Sequence, residues 1–314
     1  MENSTLLVSE SFGDKLCRIN NQCRNALFLQ GEMAQLTYQA LNGYTGFVEQ
    51  SQDEKIEIRY PIGYRADHTT IDGVNTYTKE ELIGRYQFLT FNQLPVNGIY
   101  QLVTATEFLL GSIIREVLMS YPNKIPNRRK IDVEVVLSGK SLDEVKLYLV
   151  NQILNELAYK SPREYAEEFE KIVGIKLLEQ PVFHRYLELK ATRDIHIHNS
   201  GIANEIYLTK AATLARVKAG EYLPVDLIYF LQSYEVCLQI TEILERELNN
   251  IWPSQEYLNY KNQNFEEQQK KAVETAIETA EVLEDNNIIK EASPIEKYVK
   301  IKKVATKKSA KNNQ

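Results

Sequence analysis

The chain is poor in the residues that mark many chemistries. Of its 314 residues, three are cysteine, four histidine and one tryptophan. Cys17, Cys23 and Cys237 are odd in number and fit no zinc spacing. That excludes a disulfide framework and a zinc ribbon, and makes reduced thiols in a cytoplasmic setting the expectation. No run of about 18 apolar residues occurs, so no membrane span or membrane partner is expected. The start, Met1-Glu2-Asn3-Ser4, lacks the basic segment and apolar core of a signal peptide. Overall positive charge is also missing, since the net charge is −6. Residues 286–314 hold eight Lys against Glu291 and Glu296, a surplus of six, which leaves −12 for residues 1–285. An acidic body argues against broad nucleic-acid binding, which depends on neutralising many phosphates. Any RNA site must be a local basic groove, or RNA must be recruited by other means.

What is abundant is helical patterning, and the expected class is mainly α. Leu16, Ile19, Cys23, Ala26, Leu27, Met33, Leu36 and Ala40 recur at helical spacing over 10–40. Residues 41–77 read as an irregular insertion with a small hairpin: Ile56, Ile58 and Tyr60 alternate with polar neighbours, and Asp72-Gly73 marks a turn. Thr78-Lys79-Glu80-Glu81, Ser141-Leu142-Asp143-Glu144 and Ser161-Pro162-Arg163-Glu164 are capping boxes that open helices. Pro95 and Asn97-Gly98 break the pattern, and a long apolar helix follows over about 99–120. Further helices are predicted over about 181–198, 204–218, 226–250 and 264–285, with a Lys-rich, aromatic-poor tail from 286 expected to be disordered. The division is 1–96, 97–252, 253–285 and 286–314.

The densest chemistry lies in Arg193-Asp194-Ile195-His196-Ile197-His198-Asn199-Ser200-Gly201. Histidine can move a proton near neutral pH, and arginine can hold the charge that develops on a phosphate. Two readings compete. As a strand, Asp194, His196 and His198 share one face and could ligate a metal hydrolase's ion. As a helix, His196 and His198 point about 200° apart and cannot share one. Phe183, Tyr186, Leu187 and Lys190 lead in at helical spacing with no turn residue before Arg193, which favours the helix. An ideal helix separates Arg193 from His198 by about 140°, so a bend or end near His198, permitted by Gly201, would help them converge.

Arg193 and His198, with polar Asp194 and the continuation Asn199-x-Gly201, resemble the Arg-x(4–6)-His motif of HEPN-domain proteins. The helix order over about 97–252 is similar to a HEPN bundle. The resemblance implies a metal-independent, cofactor-free endoribonuclease, a toxin or effector of prokaryotic defence. It implies a homodimer whose two motifs face each other, and an antitoxin or other defence-system partner. The ribose 2′-OH would attack the adjacent phosphate and leave a 2′,3′-cyclic phosphate. His198 would serve as general base or acid and Arg193 would stabilise the phosphorane. Asp194 would orient the arginine or a partner-chain histidine, and Asn199 would position substrate or cap the helix. Antitoxin-paired HEPN toxins often carry His-x-Tyr, but here Ser200 occupies that place, so that mode of control is not expected. A non-catalytic HEPN-like binding or assembly module is the alternative.

Three further residues join the candidate set. Glu107 stands on the apolar stripe Val103, Glu107, Leu110, Ile114, where a carboxylate needs a partner, and Arg193 is a candidate. Arg185 adds charge two turns before the motif, and His196 is a candidate substrate contact. The apolar stripes of 99–120 and 226–250 are expected to be partly available for a dimer contact.

Overall fold

The computed structural model describes residues 10–126, 141–263 and Lys271. Helix α1 (Phe12–Gln50) begins where the Ser11 hydroxyl accepts from the Asp14 amide. A hairpin of β1 (Ile56–Tyr64) and β2 (Thr70–Tyr77) follows, antiparallel from Ile56 opposite Tyr77 to Tyr64 opposite Thr70, with a bulge between Pro61 and Gly63. Then come α2 (Lys79–Phe88), a single π-turn over 89–93, and α3 (Leu94–Ser120). Next are α4 (Leu142–Ala158), α5 (Pro162–Val173), α6 (Pro181–His198), α7 (Glu205–Ala211) and α8 (Leu227–Ile251). The fold is mainly α, and the hairpin is its sheet among the described residues. Residues through Ser254 form one compact unit, and a second begins at Gln255 with 255–263 helical. The helix expected over 264–285 and the tail from 286 lie outside the described residues apart from Lys271.

Local signals and the observed caps agree in several places. Thr78 and Ser161 close reciprocal capping boxes with Glu81 and Glu164, and Ser141 accepts from the Glu144 amide. Three expectations are corrected. Helix α1 runs ten residues past Ala40, because Val48 is buried and Tyr44 packs edge-on against Tyr86 of α2. Asp72-Gly73 lies inside β2, and the turn falls at 65–69, where His68 takes a φ of 65°. The helix expected over 204–218 stops at Ala211, since Arg216 leaves the helical path to reach a buried carboxylate described below.

The core gathers around α3. Ile99, Leu102, Val103, Leu109, Ile113, Ile114 and Val117 are fully buried against α1, α5, α6 and α8. Pro95 sits in the first turn of α3 rather than before it. At Gly98, a Cβ would come within 2.4 Å of the Phe230 ring, so this glycine lets α8 approach α3. Most of the α3 and α8 stripes pack into the chain's own core, while Phe108 on α3 and Ile228 and Leu231 on α8 stay exposed. Burial raises the Cys23 thiol to about 11 and the Cys237 thiol to about 12, so both stay protonated and unreactive at neutral pH.

Candidate active site

Helix α6 positions the site because it is buried on several sides. Val182, Phe183, Tyr186, Leu189 and Ile195 anchor it in the apolar interior, and Pro181 occupies its first turn. This segment is helical through His198, so the strand reading is overturned: Asp194, His196 and His198 do not share one face. Among the described residues no group of three or more His, Cys, Asp or Glu side chains could hold a metal ion.

A pocket of about 830 Å³ opens between α3, α4, α5, α6 and α7. Arg193, Asp194, His198 and Asn199 all line it, together with Glu107, Lys190 and Lys210. Glu107 binds two of the cations. It accepts from Arg193 Nη2 at 2.6 Å and pairs with Lys190. Asp194 pairs with Arg193 at 3.4 Å and with Lys210 at 3.1 Å. The ion-paired cluster therefore sets three cations against two carboxylates, and Arg115 and Lys160 also line the pocket, so its wall is locally cationic in an acidic body. Two buried polar atoms here, Arg193 Nε and the Tyr186 hydroxyl, have no hydrogen-bond partner. Burial, and then the nearby Glu107 charge, hold the Tyr165 and Tyr186 phenols above their ordinary range. The His198 side chain is exposed at the pocket mouth.

The helix ends at His198, with Asn199 as its cap. Asn199 N and Gly201 N both donate to the Ile195 carbonyl, and Ser200 and Gly201 take φ values of 51° and 78°. The Asn199 amide donates to the Ile202 carbonyl, closing the turn. Gly201 is required twice over. Its φ favours glycine, and a Cβ would stand 2.6 Å from the Tyr222 ring and 3.1 Å from His196 Cε1.

Two of the sequence candidates stand away from this pocket. His196 Nε2 lies 2.9 Å from the Leu223 carbonyl, and its ring packs edge-on to Tyr222. Burial lowers its pKa, which suits a neutral imidazole donating to that carbonyl and holding the 220–225 segment. Arg185 is exposed and lines a separate shallow groove with Gln239, Glu242 and Arg246. Neither lines the cleft that holds Arg193 and His198.

Sequence reading overlooked the buried Glu188. It accepts from Thr192 Oγ1 at 2.8 Å, the Tyr207 hydroxyl at 3.0 Å, the Tyr229 hydroxyl at 2.7 Å and Arg216 Nε at 3.1 Å. The Arg216 guanidinium also stacks on the Tyr229 ring, 3.7 Å from its centroid. The signal that exposed Glu107 was present here too, because Glu188, Thr192 and Ile195 follow i, i+4, i+7 on a buried face.

No protein-family model matches the chain, and neither a curated protein nor a solved structure is detectably similar to it.

Proposed function

We propose that the chain is a metal-independent endoribonuclease of HEPN type. The observation that carries the reading is that Arg193 and His198 line one pocket along with Lys190 and Lys210, a local cationic surplus. His198, exposed at the mouth, takes the proton of the attacking 2′-OH or returns one to the leaving 5′-oxygen. Arg193 and Lys190 offset the charge that grows on the phosphate oxygens. For that, the phosphate must draw Arg193 from Glu107. Lys210 and Asp194 fix the second side of the guanidinium, and Asn199 with Gly201 hold the turn that sets His198 at the rim. The resemblance extends the reading to a toxin or defence effector.

One observation favours a second reading, a non-catalytic module that binds RNA or a partner protein: Glu107 and Asp194 already neutralise Arg193 in the free chain. Incubation of the purified protein with total RNA, with and without EDTA, separates the two. The ribonuclease reading expects EDTA-resistant cleavage that falls by about 10²–10⁴ in His198→Ala while circular dichroism stays unchanged. Full cleavage by a folded His198→Ala protein removes the assignment.

A further inference from the structure

Helix α1 carries a second apolar stripe that no described residue covers. Leu29, Met33, Leu36, Ala40, Gly43 and Phe47 recur at spacings of four and three, the 3.5-residue period of a coiled-coil seam. On the helix these six positions span an arc of about 80°. The buried face of the same stretch, Leu27, Ala34 and Val48, lies about 130° away around the axis. Leu29 is 60% exposed, Met33 47%, Leu36 57% and Phe47 67%. A Cβ on Gly43 would meet nothing within 4 Å. Single exposed apolar residues need no explanation, but a straight line of them along five turns of helix does.

We infer that this seam pairs with the same seam of a second copy of the chain. Two observations select that occupant over a foreign helix. First, residues 25–48 contain one charged side chain, Glu32. Paired helices choose and reject partners largely through charges flanking the seam. Here almost none would attract a different sequence, and almost none would repel an identical one. An antiparallel arrangement keeps the two Glu32 carboxylates apart. Second, the exposed seam offers on the order of 500 Å² per copy, about 1,000 Å² for the pair, which reaches the lower bound for a specific interface. The contact uses no residue of the Arg193–His198 pocket. It is therefore distinct from the face-to-face motif arrangement and does not depend on the ribonuclease reading.

The test is sedimentation velocity on the full chain at about 10 μM, for wild type, Met33→Glu with Leu36→Glu, and Ile228→Glu. Ile228 is a control on α8 with 67% exposure. All three positions are on the surface, so the fold should survive, and circular dichroism checks it. Wild type and Ile228→Glu are expected to sediment as the same associated species and the double variant as a smaller one, with association through the seam weakened at least a hundredfold. A milder change, Ala40→Glu, should shift the monomer–dimer midpoint about tenfold. A monomeric wild type overturns the inference, whether the seam is bare, held by another protein or covered by residues 264–314. So does a double variant that sediments as the wild type does, or a control that dissociates equally.

Discussion

Helix α6 holds two carboxylate–arginine pairs that differ in how completely they are enclosed. Glu188 and Arg216 form the closed pair. Glu188 receives four hydrogen bonds, and Arg216 adds a carbonyl contact at Pro224 and the face of Tyr229. Glu107 and Arg193 form the open pair. Glu107 reaches Arg193 through one terminal nitrogen, and Arg193 Nε is left buried without a partner beside a pocket of about 830 Å³. The two histidines divide in the same way: His196 is held by the Leu223 carbonyl, and His198 faces solvent. Identical residue types thus serve two purposes. A saturated network fixes the 203–225 segment against α6, and an incompletely satisfied one leaves Arg193 Nε without a partner beside the pocket.

Breaking the closed pair should have the largest effect on stability. Glu188→Ala removes the acceptor of four donors and leaves the Arg216 charge half-buried without its carboxylate. Loss of one partner of a buried pair costs about 3–5 kcal/mol, and urea unfolding should show a fall in that range. A loss under about 1 kcal/mol would mean that water replaces Glu188, and the contrast between the two pairs would disappear.

Next in size is the turn that joins the two sides. Gly201→Ala combines a positive φ with a Cβ only 2.6 Å from Tyr222. We expect roughly 2 kcal/mol of destabilisation in thermal or urea unfolding, and a displaced His198 rim. If Tyr222 simply swings outward, the cost should drop to about 1 kcal/mol, and Gly201→Ala with Tyr222→Ala should recover part of the loss.

Local rules made much of this legible. Caps at Thr78, Ser141 and Ser161 are written in three- and four-residue signals, and the structure uses all three. Glu107 was readable because a charge interrupts an apolar stripe, and the partner argued for it, Arg193, is one of the two cations it contacts, beside Lys190. Glu188 carried the same signal, but its four donors come from α6, α7, α8 and the segment between the last two. No periodicity brings those segments together. The end of α1 was misjudged for the opposite reason. Gly43, Thr45 and Gly46 are weak helix formers, and contacts with α2, distant in sequence, hold the helix together. Divergence of His196 and His198 follows from helical geometry alone. Which of them meets the pocket depended on the 220–225 segment, whose course the sequence does not reveal.

A smaller effect separates the two histidines by pH. Burial lowers the folded pKa of His196, so as pH falls the unfolded chain takes up that proton first. The stability tied to neutral His196 is complete above the ordinary histidine value near 6.5 and is lost as pH falls through it. Wild type should therefore lose more stability than His196→Gln between pH 7.5 and 5.5. Equal losses in urea midpoints would show that the imidazole takes up its proton as readily in the folded chain as in the unfolded one.

The smallest expected change in stability lies in the open pair, and it is the most informative about function. Glu107→Gln removes one negative charge and keeps the shape. The Glu107 side chain is 38% exposed, so the pair contributes within about 1 kcal/mol to folding, well below the Glu188 value. For a phosphate ligand, Glu107 is a competitor for Lys190 and Arg193. Its neutralisation should tighten the binding of a non-cleavable RNA about fivefold at low salt, a gain that shrinks as salt screens it. The rate at saturating RNA should change less than the affinity, because the displaced carboxylate takes no part in proton transfer. Weaker binding together with a slower saturated rate would give the opposite answer, that Glu107 holds Arg193 in its working position. The open pair would then be as much a built structure as the closed one.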